Sequence, residues 1–179
     1  AWSNIFINGS GGNFWTVAAS TEVGTPGDVG TIHKYVATST PDSLFARQFN
    51  TFSAGKSYVA SLWLYVPVSA GVTQLIINAN FNDIESGNSQ ATIEFGKWVR
   101  LSMVVPALAQ TRSWVDFELF VNTGASPSAG FTFYATAFQL EEIPVGSGAY
   151  PTSYIKTEAA QVTRVADSST SAQTTRAAD

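Results

Sequence analysis

Residues 57–66 read SYVASLWLYV, and this stretch decides the fold. In an extended strand, successive side chains point to opposite faces, so every second residue shares a face. One face would carry Tyr58, Ala60, Leu62, Leu64 and Val66, and the other Val59, Ser61, Trp63 and Tyr65. The stretch therefore predicts a strand whose first face lies in a core. A slip of one residue would exchange the two faces, so the alternation also fixes the register.

Two further stretches repeat this alternation with charged residues on the second face. Residues 98–105 place Val99, Leu101, Met103 and Val105 inward, with Trp98, Arg100 and Ser102 outward. Residues 114–121 place Val115, Phe117, Leu119 and Val121 inward, with Trp114, Asp116, Glu118 and Phe120 outward. Both stretches are predicted to be strands that cover the same core.

The rest of the chain has the frequent turn-forming clusters that are typical of an all-β protein. Clusters of Gly, Ser, Asn, Pro and Thr separate short apolar runs, and no stretch has a sustained helical period. Further strands are predicted at 3–8, 13–18, 30–37, 43–49, 73–80, 90–95 and 130–140. About ten short strands favour two packed antiparallel sheets, a β-sandwich of the jelly-roll type.

The composition changes near Pro144, where a loop-like stretch begins. We predict a jelly-roll domain over 1–143 and an extended C-terminal tail over 144–179. From Ala159 onward the tail has no aromatic residue, so it cannot build a core of its own. It is expected to run along the sandwich or a neighbouring chain. The expected anchors are Tyr150, Tyr154 and Ile155.

Composition and charge exclude several classes of function. Of the 179 residues, 45% are hydrophobic and only 12% are charged, and the formal net charge is −4. Such a chain lacks the basic footprint that nucleic acid or an acidic membrane surface requires. There is no Cys and a single His, so thiolate sites, disulfides and a two-histidine metal site are ruled out. No apolar run reaches the length of a membrane span. No cofactor and no metal are predicted.

Two short motifs have simple structural interpretations. Gly55-Lys56-Ser57 resembles the end of a phosphate-binding loop, but Asn50 stands where that loop requires Gly. A predicted strand follows, whereas the phosphate loop must open a helix. A turn is therefore expected. His33 lies in an alternating run without a Ser-Asp arrangement for a catalytic triad, so a surface or strand histidine is expected.

Asp116 and Glu118 lie two residues apart and share one strand face. The simplest interpretation is a solvated sheet face. Two alternatives remain, which are hydrogen bonding to sugar hydroxyls and glycoside hydrolysis. Hydrolysis requires two carboxyl groups that flank the scissile bond, and two neighbours on one strand do not flank a bond.

The aromatic content, 13%, is the more informative signal. Trp63, Tyr65 and Trp114 lie on the outward faces of their strands, where flat rings can stack on the C–H faces of sugars. The alternative is a second small core or an oligomer interface, since aromatic residues are also enriched there. If a glycan site exists, the predicted carbohydrate-binding residues are Trp63, Tyr65, Trp114, Asp116 and Glu118.

Several segments resemble a known family. Residues 55–63, GKSYVASLW, resemble the "aGktYtfSawv" strand of jelly-roll carbohydrate-binding-type modules. Residues 95–102, FGKWVRLS, resemble their "gkWvrvs" segment. Residues 137–142, 150–155 and 162–167 are similar to the series "aQLEeG…aTSYIPT…vTRaAD", which is frequent in bacteriophage tail-fibre and tail-spike structural proteins.

The resemblance implies a non-catalytic module of a phage tail or other surface-attachment protein that binds host polysaccharide. It implies a virion or extracellular location, other virion proteins as partners and a homo-oligomer, most often a trimer. One alternative is a structural jelly roll that mediates oligomerisation without glycan binding. Another is a small jelly-roll polysaccharide hydrolase or lyase.

Overall fold

The computed structural model describes residues 15–38, 44–68, 72–81, 85–92, 94–121, 128–144 and 150–152. All regular structure in these residues is β-strand. The strands are β1 (Trp15–Ala19), β2 (His33–Ala37), β3 (Leu44–Phe52), β4 (Tyr58–Tyr65), β5 (Gln74–Phe81), β6 (Glu85–Thr92), β7 (Trp98–Val105), β8 (Arg112–Val121) and β9 (Thr132–Glu142).

The strands form two antiparallel sheets. The five-stranded sheet has the order β1-β2-β9-β4-β7, and the four-stranded sheet has the order β3-β8-β5-β6. From β6 to β9 the chain passes from one sheet to the other at every connection, as expected for a jelly roll. The predicted fold class, an all-β two-sheet antiparallel β-sandwich of the jelly-roll type, is confirmed.

The inner faces of the two sheets share one core, as the alternation predicts. Leu62, Leu101 and Phe117 are buried in it, from β4, β7 and β8. Aromatic rings join the sheets. Phe52 on β3 contacts Phe81 on β5 and Tyr58 on β4, with ring centroids 5.0 and 5.6 Å apart. The predicted inward faces of the three deciding strands are therefore correct wherever their side chains are described.

The sixth strand lies elsewhere than predicted. The prediction placed a strand at 90–95 and a turn before it, whereas β6 spans Glu85–Thr92. β6 is an edge strand that pairs with β5. Its sequence, ESGNSQAT, has no large apolar residue, so no alternation of apolar and polar residues marks the strand. The predicted strand at 3–8 lies outside the described residues, as does the tail beyond Thr152.

The Gly55 turn has the expected form. Gly55 has a φ of 75°, which is in the left-handed region that favours glycine. Its amide donates to the carbonyl of Leu108 over 2.7 Å, and β4 begins at Tyr58. The segment is therefore a turn before a strand, and the phosphate-loop interpretation is excluded.

A bulge in β9 changes which residues face outward. Ser61 pairs with Gln139 but Trp63 pairs with Thr136, so β9 holds one extra residue there. Ala137, at the bulge, has a φ of 54°. A bulge reverses the alternation along its strand. Both Tyr134 before it and Gln139 after it consequently lie on the outer face.

Candidate functional site

The five predicted site residues lie on two different outer faces of the sandwich. Trp63 and Tyr65 are on β4, in the five-stranded sheet. Trp114, Asp116 and Glu118 are on β8, in the four-stranded sheet. The structure therefore divides the predicted set into two candidate surfaces.

The carboxylates of β8 face away from the core but are not solvated. Asp116 is 0% exposed and Glu118 is 8% exposed, so the solvated sheet face expected from the sequence is wrong. β8 is an interior strand, with β3 on one side and β5 on the other. Asp116 is the register partner of Arg47 on β3 and of Asn80 on β5. Neighbouring strands thus limit the access of water to these carboxylates.

Glu118 holds two asparagine amides in place. Its Oε2 accepts from Asn78 Nδ2 at 3.3 Å, and its Oε1 accepts from Asn80 Nδ2 at 3.1 Å. An asparagine that donates through its nitrogen keeps its carbonyl oxygen as an acceptor. The Oδ1 of Asn80 is buried and has no hydrogen-bond partner among the described residues. The two hydrogen bonds to Glu118 thus fix the orientation of both amides on the outer side of β5.

Trp114 lies on the same outer face and is half-buried. Glu118 lies four positions after Trp114, which corresponds to about 13 Å along a strand. An aromatic ring, oriented amides and carboxylates thus share one strip on this face. Its length suits a short oligosaccharide.

On the five-stranded sheet, the two predicted aromatic residues differ in their surroundings. Tyr65 packs against Trp98 and Tyr134, with ring centroids 5.6 and 5.8 Å apart. Trp63 is half-buried and has Arg100 and Thr136 as its register partners. Tyr65 is therefore part of an outer aromatic cluster.

The β1–β2 connection covers one end of this face. The Thr136 hydroxyl lies 2.9 Å from the carbonyl oxygen of Thr31 and 3.1 Å from that of Val29. Trp98 Nε1 donates to the carbonyl of Gly24. The connection thus contacts residues of both β7 and β9.

A polar triad fixes the same connection. Glu22 accepts from Tyr134 at 2.8 Å and pairs with Lys34 at 2.8 Å. The hydrogen bonds from Lys34 and then from Tyr134 lower the pKa of the Glu22 carboxyl. The same carboxylate raises the pKa of Lys34.

Residues 150–152 cover the other end of the five-stranded face. Thr152 donates to Glu141 through both its amide, at 2.9 Å, and its hydroxyl, at 2.7 Å. Arg100 Nη2 donates to the Thr152 carbonyl oxygen at 2.7 Å. Tyr150, an expected anchor, is 83% exposed and so does not anchor the tail to this chain's own sandwich. Tyr154 and Ile155, the other expected anchors, lie outside the described residues.

The described residues contain no group of three or more His, Asp or Glu that could hold a metal ion. None of their elements is a helix of the length and apolarity needed to cross a membrane. His33 lies half-buried on β2, where burial lowers the pKa of its imidazole.

Sequence reasoning missed some of the polar groups that matter here. Asn80 was detectable, because residues 74–80 alternate and place it outward with Asn78. Gln139 and Glu141 were not, because their outward direction depends on the bulge at Ala137. No sequence pattern indicates that bulge.

The comparisons with known proteins show a shared fold. No protein family matches the sequence, and no curated protein matches it. A Clostridium thermocellum xylanase 10B structure with CBM22-1 and GH10 modules, complexed with xylohexaose, is 13% identical. Its TM-score is 0.53, and the match covers 82% of this chain and 30% of that chain.

Two further solved structures show the same likeness. TmCBM61, solved in complex with β-1,4-galactotriose, is 10% identical with a TM-score of 0.50, over 79% of this chain and 90% of that chain. The enzymatically active domain of bacteriophage CBA120 tailspike protein 4 is 13% identical with a TM-score of 0.51, over 80% of this chain and 20% of that chain. This chain spans less than a third of the xylanase and tailspike chains. At these identities the comparisons show the fold alone, an antiparallel jelly-roll β-sandwich that this chain shares with the solved structures.

Proposed function

We propose that this chain is a non-catalytic carbohydrate-binding module whose ligand lies on the outer face of the four-stranded sheet. The observation that carries the proposal is the pair of hydrogen bonds by which Glu118 orients the amides of Asn78 and Asn80. Preoriented amides lower the entropic cost of binding. The carbonyl oxygen of the half-buried Asn78 accepts from a sugar hydroxyl, and the Trp114 ring supplies the apolar contact.

In this proposal the two carboxylates have different roles from the ones the sequence suggested. Asp116 has no exposed surface, so it is a positioning residue that acts through its neighbours. Glu118 holds the amides and contacts the ligand at most by its small exposed edge. Trp114 and Asn78 make the main contacts with the sugar.

The five-stranded face is the weaker candidate for the glycan. Tyr65 is engaged by Trp98 and Tyr134, and the connection around Gly24 lies against Trp98. Thr152 is hydrogen-bonded to Arg100 and Glu141, so these polar side chains of the face are already engaged. Trp63 consequently lies between two segments of its own chain, which limits the length of ligand it would accept.

The proposed absence of catalysis follows from the position of the carboxylates. Glycoside hydrolysis uses two carboxyl groups on opposite sides of the scissile bond, about 5 to 10 Å apart. Asp116 and Glu118 are neighbours on one face of one strand, and Asp116 is fully buried. They are therefore not placed to act as a general acid and a nucleophile on opposite sides of a glycosidic bond.

The biological setting is also part of the proposal. We place the module in a bacteriophage tail or another surface-attachment protein, at the virion or outside the cell. The motif resemblance in residues 137–167 supports this, and the tailspike similarity agrees with it in fold. Single-site binding of a short oligosaccharide would be modest, on the order of micromolar to millimolar. Several copies on one polysaccharide would then act through multivalency.

A glycan array probed with the purified full chain tests the class of function. We expect binding to one group of neutral or host-type oligosaccharides, with no release of reducing ends or unsaturated sugars. Binding to no glycan, with the sandwich folded, would contradict the proposal. Multiple-turnover product release that Glu118→Gln abolishes would contradict its non-catalytic part.

One observation favours the second candidate, a structural jelly roll that assembles with other chains. Tyr150 is 83% exposed although it lies two positions before Thr152, which Glu141 and Arg100 hold. An exposed aromatic ring on a fixed segment suits contact with a partner chain. Sedimentation of the native chain and of Tyr150→Ser tests this. A trimer that dissociates in Tyr150→Ser supports the structural function, and a monomer at all concentrations opposes it.

A further inference from the structure

We propose that Arg100, Gln139 and Glu141 form a docking site for this chain's own C-terminal segment, and that the site selects Thr or Ser at position 152. We call these three residues the Thr152 clamp. The clamp fixes Thr152 against the outer face of the five-stranded sheet. Its role is independent of the proposed glycan site.

The clamp engages every polar group of Thr152. One carboxylate, Glu141, accepts from the amide at 2.9 Å and from the hydroxyl at 2.7 Å. The carbonyl oxygen accepts from Arg100 Nη2 at 2.7 Å. Gln139 Nε2 lies 3.4 Å from the hydroxyl oxygen. The two donors and the carbonyl acceptor of Thr152 are thus each bound by a complementary group.

The clamp residues are themselves held in position. Gln139 Nε2 donates to Glu141 Oε1 at 2.7 Å. Arg100 Nη2 lies 3.1 Å from Ser61 Oγ and 3.2 Å from Gln139 Oε1. The side chains come from β7 and β9 with β4 between them, so the sheet sets their spacing. Such preorganisation marks a built site, since less side-chain freedom is lost when the segment docks.

The two-point contact of Glu141 explains the selectivity. Thr and Ser alone combine a backbone amide with a β-hydroxyl that one carboxylate can reach, whereas Val has the same shape as Thr without the donor. Hydrogen bonds to a charged acceptor are about twice as strong as neutral ones. The docked segment also uses polar groups that a sugar would otherwise contact on the five-stranded face.

Amide hydrogen exchange of the full chain tests the clamp, because the Thr152 amide is one of its bonds. We expect Thr152→Val to speed exchange at position 152 by about tenfold or more, and Thr152→Ser to stay within about twofold of the native chain. Glu141→Ala should match Thr152→Val. Thr111→Val, the same change at an exposed site remote in sequence, is the control and should change nothing at 152.

Three results would overturn the proposal. The first is a native Thr152 amide that exchanges at the rate of an unstructured peptide. The second is equal protection in Thr152→Val and Thr152→Ser. The third is protection that rises with protein concentration, since the clamp would then take Thr152 from a second copy. Glycan binding by the Thr152→Val chain should be unchanged, so failure of the clamp and failure of the glycan proposal are distinguishable.

Discussion

Trp63 and Trp114 lie on opposite outer faces of the sandwich, because β4 belongs to the five-stranded sheet and β8 to the four-stranded sheet. The core lies between the two sheets, so one short ligand cannot contact both rings. The proposed glycan site is therefore assigned to one of these two faces. The described contacts favour the face of Trp114.

The shared core predicts large losses of stability on truncation of its side chains. Leu62→Ala and Phe117→Ala should each lower the free energy of unfolding by about 2–5 kcal/mol, from lost burial and the cavity left behind. Val104→Ala on β7 is the control, since Val104 is 43% exposed, and it should cost less than about 0.5 kcal/mol. Chemical denaturation measures all three. A loss in Leu62→Ala no larger than that in the control would contradict the assigned core.

Removal of the hydroxyl from two buried tyrosines should change the free energy of unfolding in opposite directions. The Tyr35 hydroxyl is buried and has no hydrogen-bond partner within the described part of the chain, whereas the Tyr58 hydroxyl accepts from the Ser53 amide at 3.1 Å. An unpartnered buried polar group costs about 1–3 kcal/mol. Tyr35→Phe should therefore raise the free energy of unfolding by about 1 kcal/mol, and Tyr58→Phe should lower it by a similar amount. Destabilisation by Tyr35→Phe would show that its hydroxyl has a partner.

The Glu22–Lys34 ion pair should lower the titration midpoint of the Glu22 carboxyl. Hydrogen bonds from Lys34 and Tyr134 lower the pKa of Glu22 below its ordinary value of 4.5. Its stabilising contribution is thus present at neutral pH and is lost as the pH falls through the folded-state pKa. The pKa of Lys34 is raised above 10.5, so its contribution is present below that pH and is lost as the pH rises through the folded-state pKa.

NMR titration of the Glu22 carboxyl measures this effect. The midpoint should lie below 4.5 in the native chain and move upward in Lys34→Met. Lys97→Met is the matched control. It removes the partner of Glu94, at 2.7 Å, and should raise the pKa of Glu94 while leaving that of Glu22 unchanged. A Glu22 midpoint that does not move in Lys34→Met would contradict the pair.

The fold was predictable where one sheet face is apolar and the other is not. Alternation over β4, β7 and β8 identified the inner residues, because burial of one face selects every second side chain. Edge strand β6 was predicted too far along the chain, at 90–95, since its polar sequence, ESGNSQAT, carries no such pattern.

The candidate site was predictable only in part. The outward direction of Trp114, Asp116 and Glu118 follows from alternation. The burial of these residues does not follow from alternation, because it depends on which strands flank β8. The sequence also does not reveal that the backbone of Ala137 is in the left-handed region. Ala137 lies at the bulge that turns Gln139 and Glu141 outward. Sheet neighbours and bulges arise from contacts between residues far apart in sequence, and single-strand periodicity does not report them.

Calorimetric titration with the oligosaccharide selected by the array tests the central claim most directly. The native chain, Trp114→Ala and Trp63→Ala are compared, with folding checked by circular dichroism. Loss of one stacking ring removes about 1–3 kcal/mol, by analogy with base stacking on aromatic side chains. Trp114→Ala should therefore weaken binding by about tenfold or more, and Trp63→Ala should leave it within about twofold. Unchanged affinity in a folded Trp114→Ala chain, or loss of binding in Trp63→Ala alone, would contradict a glycan site on the four-stranded sheet.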